Sequence, residues 1–393
     1  MKVCHVVYSF YPFDPRVRKE VEALARAGHT VDVIAVQDEG EPRKEVVGSA
    51  TVHRIPMAIV RGSRARYIFQ YAFFMFLSAG LLIQLHLRKR YRVVHVHSLP
   101  DFLVFVAFPA KLLSASVVLD LHEAMPEILA ARFRLPRPSA LVRIARIAER
   151  MSTLCADYVL VPTELRRDLL VGRDVPANKV FVVMNSPDAA AVEALRANPP
   201  AAPTEPDGPC VLAYAGGINA ERDLATLIRA ASILSRSRAV TVFLFGKGDS
   251  AYRSELVRIA AEEAATVDLR IGDWVPPAEA FRYIRRSVVG VATYERNPLT
   301  EIAAPHKVME YVAAGRPLVL ADLKGLRHVW EGAALFYRPG DPVDLAARIE
   351  ALIEDPELAR RLVSRARTVY ERLDWRHSEQ VLLQVYARPG GGT

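Results

Sequence analysis

The chain is built on an alternation. Short runs rich in valine, leucine and isoleucine ("VCHVVYSF", "VDVIAV", "RVVHVH", "SVVLDLH", "DYVLVP") are separated by longer stretches with helical periodicity. In "DPRVRKEVEALARAG", Val17, Val21, Leu24 and Ala25 fall on one helical face, and Gly28 ends the helix. Strands this apolar have no polar side to show to water, so both faces of their sheet are covered. Strand and helix in turn give an α/β fold with a parallel sheet and right-handed crossovers. A further strand is expected over residues 51–56.

The alternation breaks once. Residues 196–209, "RANPPAAPTEPDGP", hold five prolines, which cannot continue a helix or sit in a central strand. This window reads as a linker. Beyond it the pattern restarts with "CVLAYAGG", "AVTVFLFGKG", "SVVGVATYE", "RPLVLAD" and "ALFYRPG". Two α/β domains of similar size are predicted, 1–195 and 210–375. With 51% hydrophobic and 24% charged residues, a chain of 393 can bury full cores, which excludes a disordered protein. Cys4, Cys155 and Cys210 form no CxxC or Cys/His cluster, which argues against a disulfide framework or a zinc site and fits a reducing cytosol. The opening "MKVCHVVYSF" reads as a buried strand, with no signal-peptide pattern.

Charge is unevenly placed. Residues 1–198 carry 27 lysines and arginines against 19 aspartates and glutamates, and the remainder is neutral. Such a field attracts nucleic acid, anionic lipid or a phosphorylated substrate. A solvated basic surface is the plainer reading. No RNA- or DNA-binding motif is recognisable, so nucleic acid is not expected as a partner. "YIFQYAFFMFLSAGLLIQLHLRKR", Tyr67 to Arg90, approaches the length of a membrane span. It lies between two predicted strands of one sheet, which a span would separate. A buried crossover helix is expected, with an interfacial helix as the alternative that the flanking arginines favour over a span.

In open α/β sheets ligands bind at the carboxyl ends of strands. Four such loops carry chemistry. In "AYAGGINAERDLATLI", Gly216 and Gly217 end a strand, a helix is expected near Glu221, and Arg222 falls in its first turn. Glycines admit close backbone approach, and free N–H groups with an arginine suit phosphate. In "PHKVMEYVAAG", Pro305 suits the first helical position, His306 follows, and Lys307 opposes the helix dipole unless an anion is bound. Glu310, one turn on, can accept both hydroxyls of a ribose, and a surface ion pair with Lys307 is the plainer reading. In "VVLDLHEAMPE", His122 and Glu123 lie just past a strand end, where a histidine can bond a sugar hydroxyl or a phosphate. In "YSFYPFDPRVRKE", Asp14 can cap the next helix, and Arg16 and Arg18 either meet an anion or are ordinary exposed basics.

Taken together these stretches resemble family 4 of the retaining glycosyltransferases with the GT-B fold. "DPRVRKEVEALARAGHTVDVIA", "VVHVHSLPDFL", "VVLDLHEAMPE" and "ADYVLVPTELRRDLL" resemble its N-terminal domain. "YAGGINAERDLATLIRA", "FLFGKGD" and "PHKVMEYVAAGRPLV" resemble its nucleotide-binding domain. The resemblance implies two Rossmann-like, doubly wound parallel-sheet domains facing a central cleft, with a last helix, 376–389, crossing back to the N-terminal domain. It implies a nucleotide sugar bound by the second domain and an acceptor by the first. Glu310 would take the donor ribose, Arg222 the diphosphate, and His122 the neighbourhood of the donor sugar. Trp274 and Val275, in "IGDWVPP", would lie where the nucleobase rests on backbone. Two positions depart from the family pattern: Ile302 stands where a paired glutamate is common, with Glu301 one residue off, and Gly217 stands where an arginine is common.

The implied reaction is hexosyl transfer from a nucleoside diphosphate sugar to an acceptor hydroxyl, with retention. Preorganised cations would stabilise the departing diphosphate. Arg222 and Lys307 would do so without a metal or other cofactor, and no Asp-x-Asp pair occurs in the chain. The basic first half suits a lipid-linked or cell-surface glycan acceptor, with the protein cytoplasmic and peripheral at the inner membrane face. Two alternatives share the fold: a nucleotide-sugar 2-epimerase and a non-catalytic nucleotide-sugar-binding subunit.

Overall fold

Eight strands in the order β3-β4-β2-β1-β5-β6-β7-β8 form the first sheet of the computed structural model, which describes residues 1–59, 64–132, 139–186, 209–264, 266–305 and 307–388. They are β1 (Lys2–Phe10), β2 (Thr30–Val36), β3 (Lys44–Val47), β4 (Ala50–Ile55), β5 (Val93–His97), β6 (Ser116–Asp120), β7 (Tyr158–Val161) and β8 (Val180–Val182). All pairs are parallel except the edge hairpin β3–β4. The chain separates into two compact units, residues 1–185 with the segment from Trp375, and residues 186–374. Most of the proline-rich window 196–209 lies outside the described residues.

In the first unit, period-two alternation sends successive side chains to opposite faces. Cys4, Val6, Val94 and Val96 face one core, with Phe74, Leu82, Leu103 and Val106 laid over them. Val3, Val7, Val31 and Val33 face the other, covered by Val17, Val21, Leu24, Trp375, Leu382 and Tyr386. Helix Pro15–Arg26 starts on Asp14, whose carboxylate accepts the N–H groups of Arg16 and Val17. It ends where Gly28 takes φ +81.

Helix Arg64–Lys89 joins β4 to β5. Since β2 and β1 lie between those strands in the sheet, the helix must cross the sheet's face. Phe74, Ser78, Leu82 and His86 are buried in doing so. A membrane span is therefore ruled out, because both flanking strands belong to one sheet. The buried-crossover reading holds for one side of the helix only: Phe69, Phe73, Phe76 and Leu87 face outward, Phe76 with 78% of its surface exposed.

The second unit holds β9 (Cys210–Ala215), β10 (Val240–Phe245) and β11 (Asp268–Gly272), in the order β11-β10-β9, and β12 (Gly290–Ala292), β13 (Leu318–Ala321) and β14 (Leu335–Tyr337). The Val288 N–H donates to the Val211 carbonyl at 2.9 Å and joins β9 to the start of β12. The strand order thus reverses between β9 and β12, the topological switch point of a doubly wound sheet. Three strands escaped the sequence reading. β3 and β11 are edge strands with charged, half-exposed residues, and β8 is three residues long.

Candidate functional site

The switch point of the second unit gathers the loops after β9, β10 and β12 around one ammonium group. β9 ends in Gly216, and the helix Lys307–Ala313 follows β12. The Lys307 ammonium donates to the Ala215 carbonyl and sits 3.9 Å from the centre of the Tyr214 ring. A β-carbon at Gly216 would lie 2.2 Å from that nitrogen, and one at Gly246, at the end of β10, 1.8 Å from the Gly216 carbonyl oxygen. Gly246 is therefore glycine because a side chain there would enter backbone, and Gly216 because it holds φ +154, which side chains rarely adopt. Tyr311, on the same helix, anchors it by donating its hydroxyl proton to the Ala213 carbonyl at 2.8 Å. Gly315, at φ +67, ends it, and the chain re-enters the sheet at Leu318.

Arg222 is held beside this point. Its guanidinium donates to the Tyr294 hydroxyl at 2.8 Å and stacks 5.0 Å from that ring's centre. Its backbone carbonyl accepts from Thr293 Oγ1 at 2.7 Å. Its Nε is buried without a hydrogen-bond partner. Burial pushes the Lys307 ammonium down to about 8, with Glu310 resisting and Arg222 adding to the fall. Burial raises the Glu310 carboxyl, and Lys307 works against it. No ion pair joins Lys307 to Glu310 among the described residues, so the surface-pair reading fails. Glu310 reaches solvent while Lys307 turns inward to Ala215 and Tyr214.

Three sequence expectations need correction here. Arg222 is not in a first helical turn: it closes a 3-10 turn, Ala220–Arg222, and Asp223 then takes φ +45 before the helix Leu224–Leu234 begins. Nor are that helix's first N–H groups free, because Leu224 and Ala225 donate to the Tyr252 hydroxyl at 3.0 and 3.4 Å. Pro305 is not the first helical residue as expected: the helix begins at Lys307, and the Pro305 carbonyl accepts the Val308 N–H at 3.3 Å, while His306 lies outside the described residues. Gly217 contributes its carbonyl, which accepts from the Tyr214 hydroxyl at 2.8 Å. Trp274 and Val275 follow β11, two strands from β9, and Trp274 is mostly exposed. Glu301 does not stand in for the glutamate missing at Ile302. One of its oxygens pairs with Arg296 at 3.0 Å and the other accepts the Lys324 N–H at 3.0 Å.

The first unit has its own site. A cavity of about 470 Å³ is lined in part by Asp14, Arg16, His122, Glu123 and Asn185, so four sequence candidates converge on it. Arg16 corrects its expectation. It is neither exposed nor waiting for a ligand: both of its outer contacts to Asp120 are 2.6 Å, and it also donates to the Val183 carbonyl at 2.7 Å. The anion it meets is the protein's own. Arg18 is the exposed one, 3.9 Å from Glu22.

Asp120 orients His122. Burial would raise this carboxyl, but Arg16, His122 and His97 together hold it well below the carboxylate range. It is therefore ionised and only accepts, so His97 Nδ1 donates to it at 3.2 Å, and His122 Nε2 lies 2.9 Å from the same carboxylate oxygen and 3.1 Å from His97 Nδ1. The ring nitrogen His122 leaves to the cavity is Nδ1. The His122 backbone N–H donates to Ser98 Oγ at 3.1 Å and fixes the loop. His97 Nε2 accepts in turn from His5 Nδ1 at 2.9 Å. Two groups of side chains, His5/Glu20/His95/His97 and His97/Asp120/His122, bring donor atoms within 4.8 Å of one another. The second group's shared carboxylate is already committed to Arg16. Sequence reasoning missed Tyr214, Tyr294, Gly246, Asp120 and His97. Tyr294 and Gly246 follow predicted strand ends and were open to the same argument as Gly216, whereas Asp120 looked like an interior strand residue.

Comparison with known proteins accords with this architecture. A glycosyl transferase 4-like domain model matches residues 14–186, and a glycosyl transferases group 1 model matches residues 209–355. The sulfoquinovosyl transferase of Arabidopsis thaliana is 26% identical over 298 residues, 72% of this chain and 54% of that protein. The D-inositol 3-phosphate glycosyltransferase of Nocardia farcinica is 30% identical over 204 residues, 49% of this chain and 43% of that protein. The chain thus spans about half the length of the curated relatives it matches. Among solved structures, sucrose-phosphate synthase from Thermosynechococcus elongatus superposes with a TM-score of 0.74 at 18% identity, covering 98% of both chains. Anabaena HepE, solved with UDP-glucose, gives 0.65 at 15% identity over 98% of this chain and 99% of that one. The chain belongs to the glycosyltransferases that join a glycosyl transferase 4-like domain to a group 1 domain, and it has their GT-B fold.

Proposed function

We propose that this glycosyltransferase takes its sugar from a nucleoside diphosphate sugar held at the switch point of the second unit. The observation that carries the reading is the pairing of Lys307 with the bare backbone of Gly216, with Arg222 beside them. A diphosphate leaving group gathers negative charge as its bond to the sugar breaks, and fixed cations stabilise that charge more than they stabilise the substrate. Lys307 pays for its burial with a depressed pKa, which an anion would reverse. Glu310 takes the ribose hydroxyls. The two cations do the work that a divalent ion does elsewhere, so the reaction is read as metal-independent, and with retention as the resemblance implies. His122, set by Asp120, offers Nδ1 to the sugar or the acceptor. The acceptor is read as a lipid-linked or cell-surface glycan, and the protein as cytoplasmic.

A thermal-shift screen against UDP, GDP, dTDP and ADP sugars identifies the donor, since binding to the native state raises Tm. UDP-glucose comes first, as the ligand of the HepE structure. Lys307→Ala and Glu310→Ala should each abolish transfer, and full activity in both variants would sink the assignment. Because the free Lys307 loses its proton through about pH 8, donor affinity should fall about fivefold between pH 8 and 9. A flat profile from calorimetric titration would mean that Lys307 does not face the diphosphate. The commitment of Glu301 to Arg296 and Lys324 favours one second reading, a non-catalytic sugar-nucleotide binder. Binding without any turnover, by NMR with candidate acceptors, would select it. Donor consumed with no acceptor present would instead mark an epimerase.

A further inference from the structure

Three helical elements lie side by side over one face of the first unit's sheet. They are Arg64–Lys89, the stretch Asp101–Leu112, and Ala140–Cys155. A helix on a soluble protein's surface buries an apolar stripe and shows water a polar one. These three show water a second apolar stripe. On Ala140–Cys155 the outward residues Leu141, Ile144, Ile147, Met151 and Leu154 recur every three or four positions, with Ile144 exposed at 62% and Leu154 at 61%. Phe69, Phe73 and Phe76 continue the patch on the first helix, and Phe105, Phe108 and Leu112 on the middle stretch. A contiguous apolar surface of this kind marks an interaction site.

The charges say what covers it. Arg66, Arg88, Arg143, Arg146 and Arg150 are exposed on these elements. Their acids, Asp101 and Glu149, are both buried. Glu149 turns inward to Arg166 and Arg173, the latter at 2.6 Å. The outward side therefore carries apolar residues and cations with no anion among its described residues. A bilayer interface with anionic headgroups complements both features, since acyl chains take the aromatic and aliphatic residues and phosphates take the arginines. We infer that this face is a membrane-docking surface and that the first unit sits on anionic lipid through it. The inference does not depend on the identity of donor or acceptor.

Flotation of the full chain with vesicles tests it. Phosphatidylcholine with about 30% phosphatidylglycerol should carry the protein up, and phosphatidylcholine alone should carry far less. Ile144→Ser with Ile147→Ser should lower partitioning onto the anionic vesicles at least about tenfold. Val343→Ser, an exposed apolar residue of the second unit, should change nothing. If the double serine variant melts abnormally by circular dichroism, Arg143→Glu with Arg146→Glu probes the same face and should lower binding about tenfold or more. Absence of binding to either vesicle overturns the proposal. So does a concentration-dependent dimer in sedimentation equilibrium that the serine variant abolishes, because the occupant is then a second copy.

Discussion

The two helical layers on either side of the first unit's sheet solve the same burial problem in opposite ways. The layer formed by Pro15–Arg26 and Trp375–Ala387 keeps its apolar residues in the core and also buries polar ones: Arg16, Glu20, Asp120, His5, His95 and His97. The other layer buries charges too, Asp101 and Glu149 among them, but it differs in leaving a second apolar side in water. The first layer spends stability on charges that hold His122 at the cavity. The second spends solubility on a surface that has no use in a freely dissolved protein. The difference places chemistry on one side of the sheet and docking on the other.

The sharpest way to break this comparison is to remove the keystone of the polar layer. Arg16→Ala leaves Asp120 buried and ionised without its partner. Losing one member of a buried pair costs roughly 3–5 kcal/mol. Urea denaturation of the full chain should show a loss of that order in the first unit's transition. Arg16→Met combined with Asp120→Leu should recover part of it, because the desolvated charge goes too. A loss below about 1 kcal/mol in the single variant would mean that Asp120 reaches solvent and the layer is not the closed network described.

Much of this contrast was legible in the chain and part was not. The strand and helix alternation, the α/β class and the Gly216, Lys307 and Glu310 cluster follow from local pattern, because strand ends in such folds carry function. Arg16 was misread because its partner, Asp120, is 104 positions away and no local spacing reveals the pair. The outward stripe on Ala140–Cys155 was missed for a related reason. The same periodicity describes a buried face and an exposed one, and only the packing of Asp101–Leu112 and of Glu149 against its arginines decides which side points inward. The charge asymmetry was visible as a sum, but its arrangement over one face was not.

A smaller effect comes from acid. Burial holds His5, His95 and His97 below the usual histidine range, so they stay neutral in the folded state. The unfolded chain takes up those protons below about pH 6.5 and the folded one does not. Stability should therefore fall from about pH 6.5 downward, with Asp120 adding its own loss below about pH 4. Glu20 opposes this, since burial and Asp120 raise its carboxyl and the folded state takes that proton first. Each net proton is worth about 1.4 kcal/mol per pH unit. His95→Gln should lower the slope by about that amount between pH 6.5 and 5, as read from urea midpoints. An unchanged slope would mean that His95 is protonated in place.

The smallest expected effect is the most telling about the other layer. Phe76 is a large aromatic residue on a helix, and by composition alone its replacement with serine should be severe. With 78% of its surface already in water, it has little burial to lose. Phe76→Ser should leave the urea midpoint within about 0.5 kcal/mol of the parent, the usual range for surface changes. Phe74→Ser, two positions away and fully buried in the core, should cost several kcal/mol. The pair measures the two sides of a single helix in one host. If both variants lose comparable stability, the outward side is packed against protein, and the contrast between the two layers disappears.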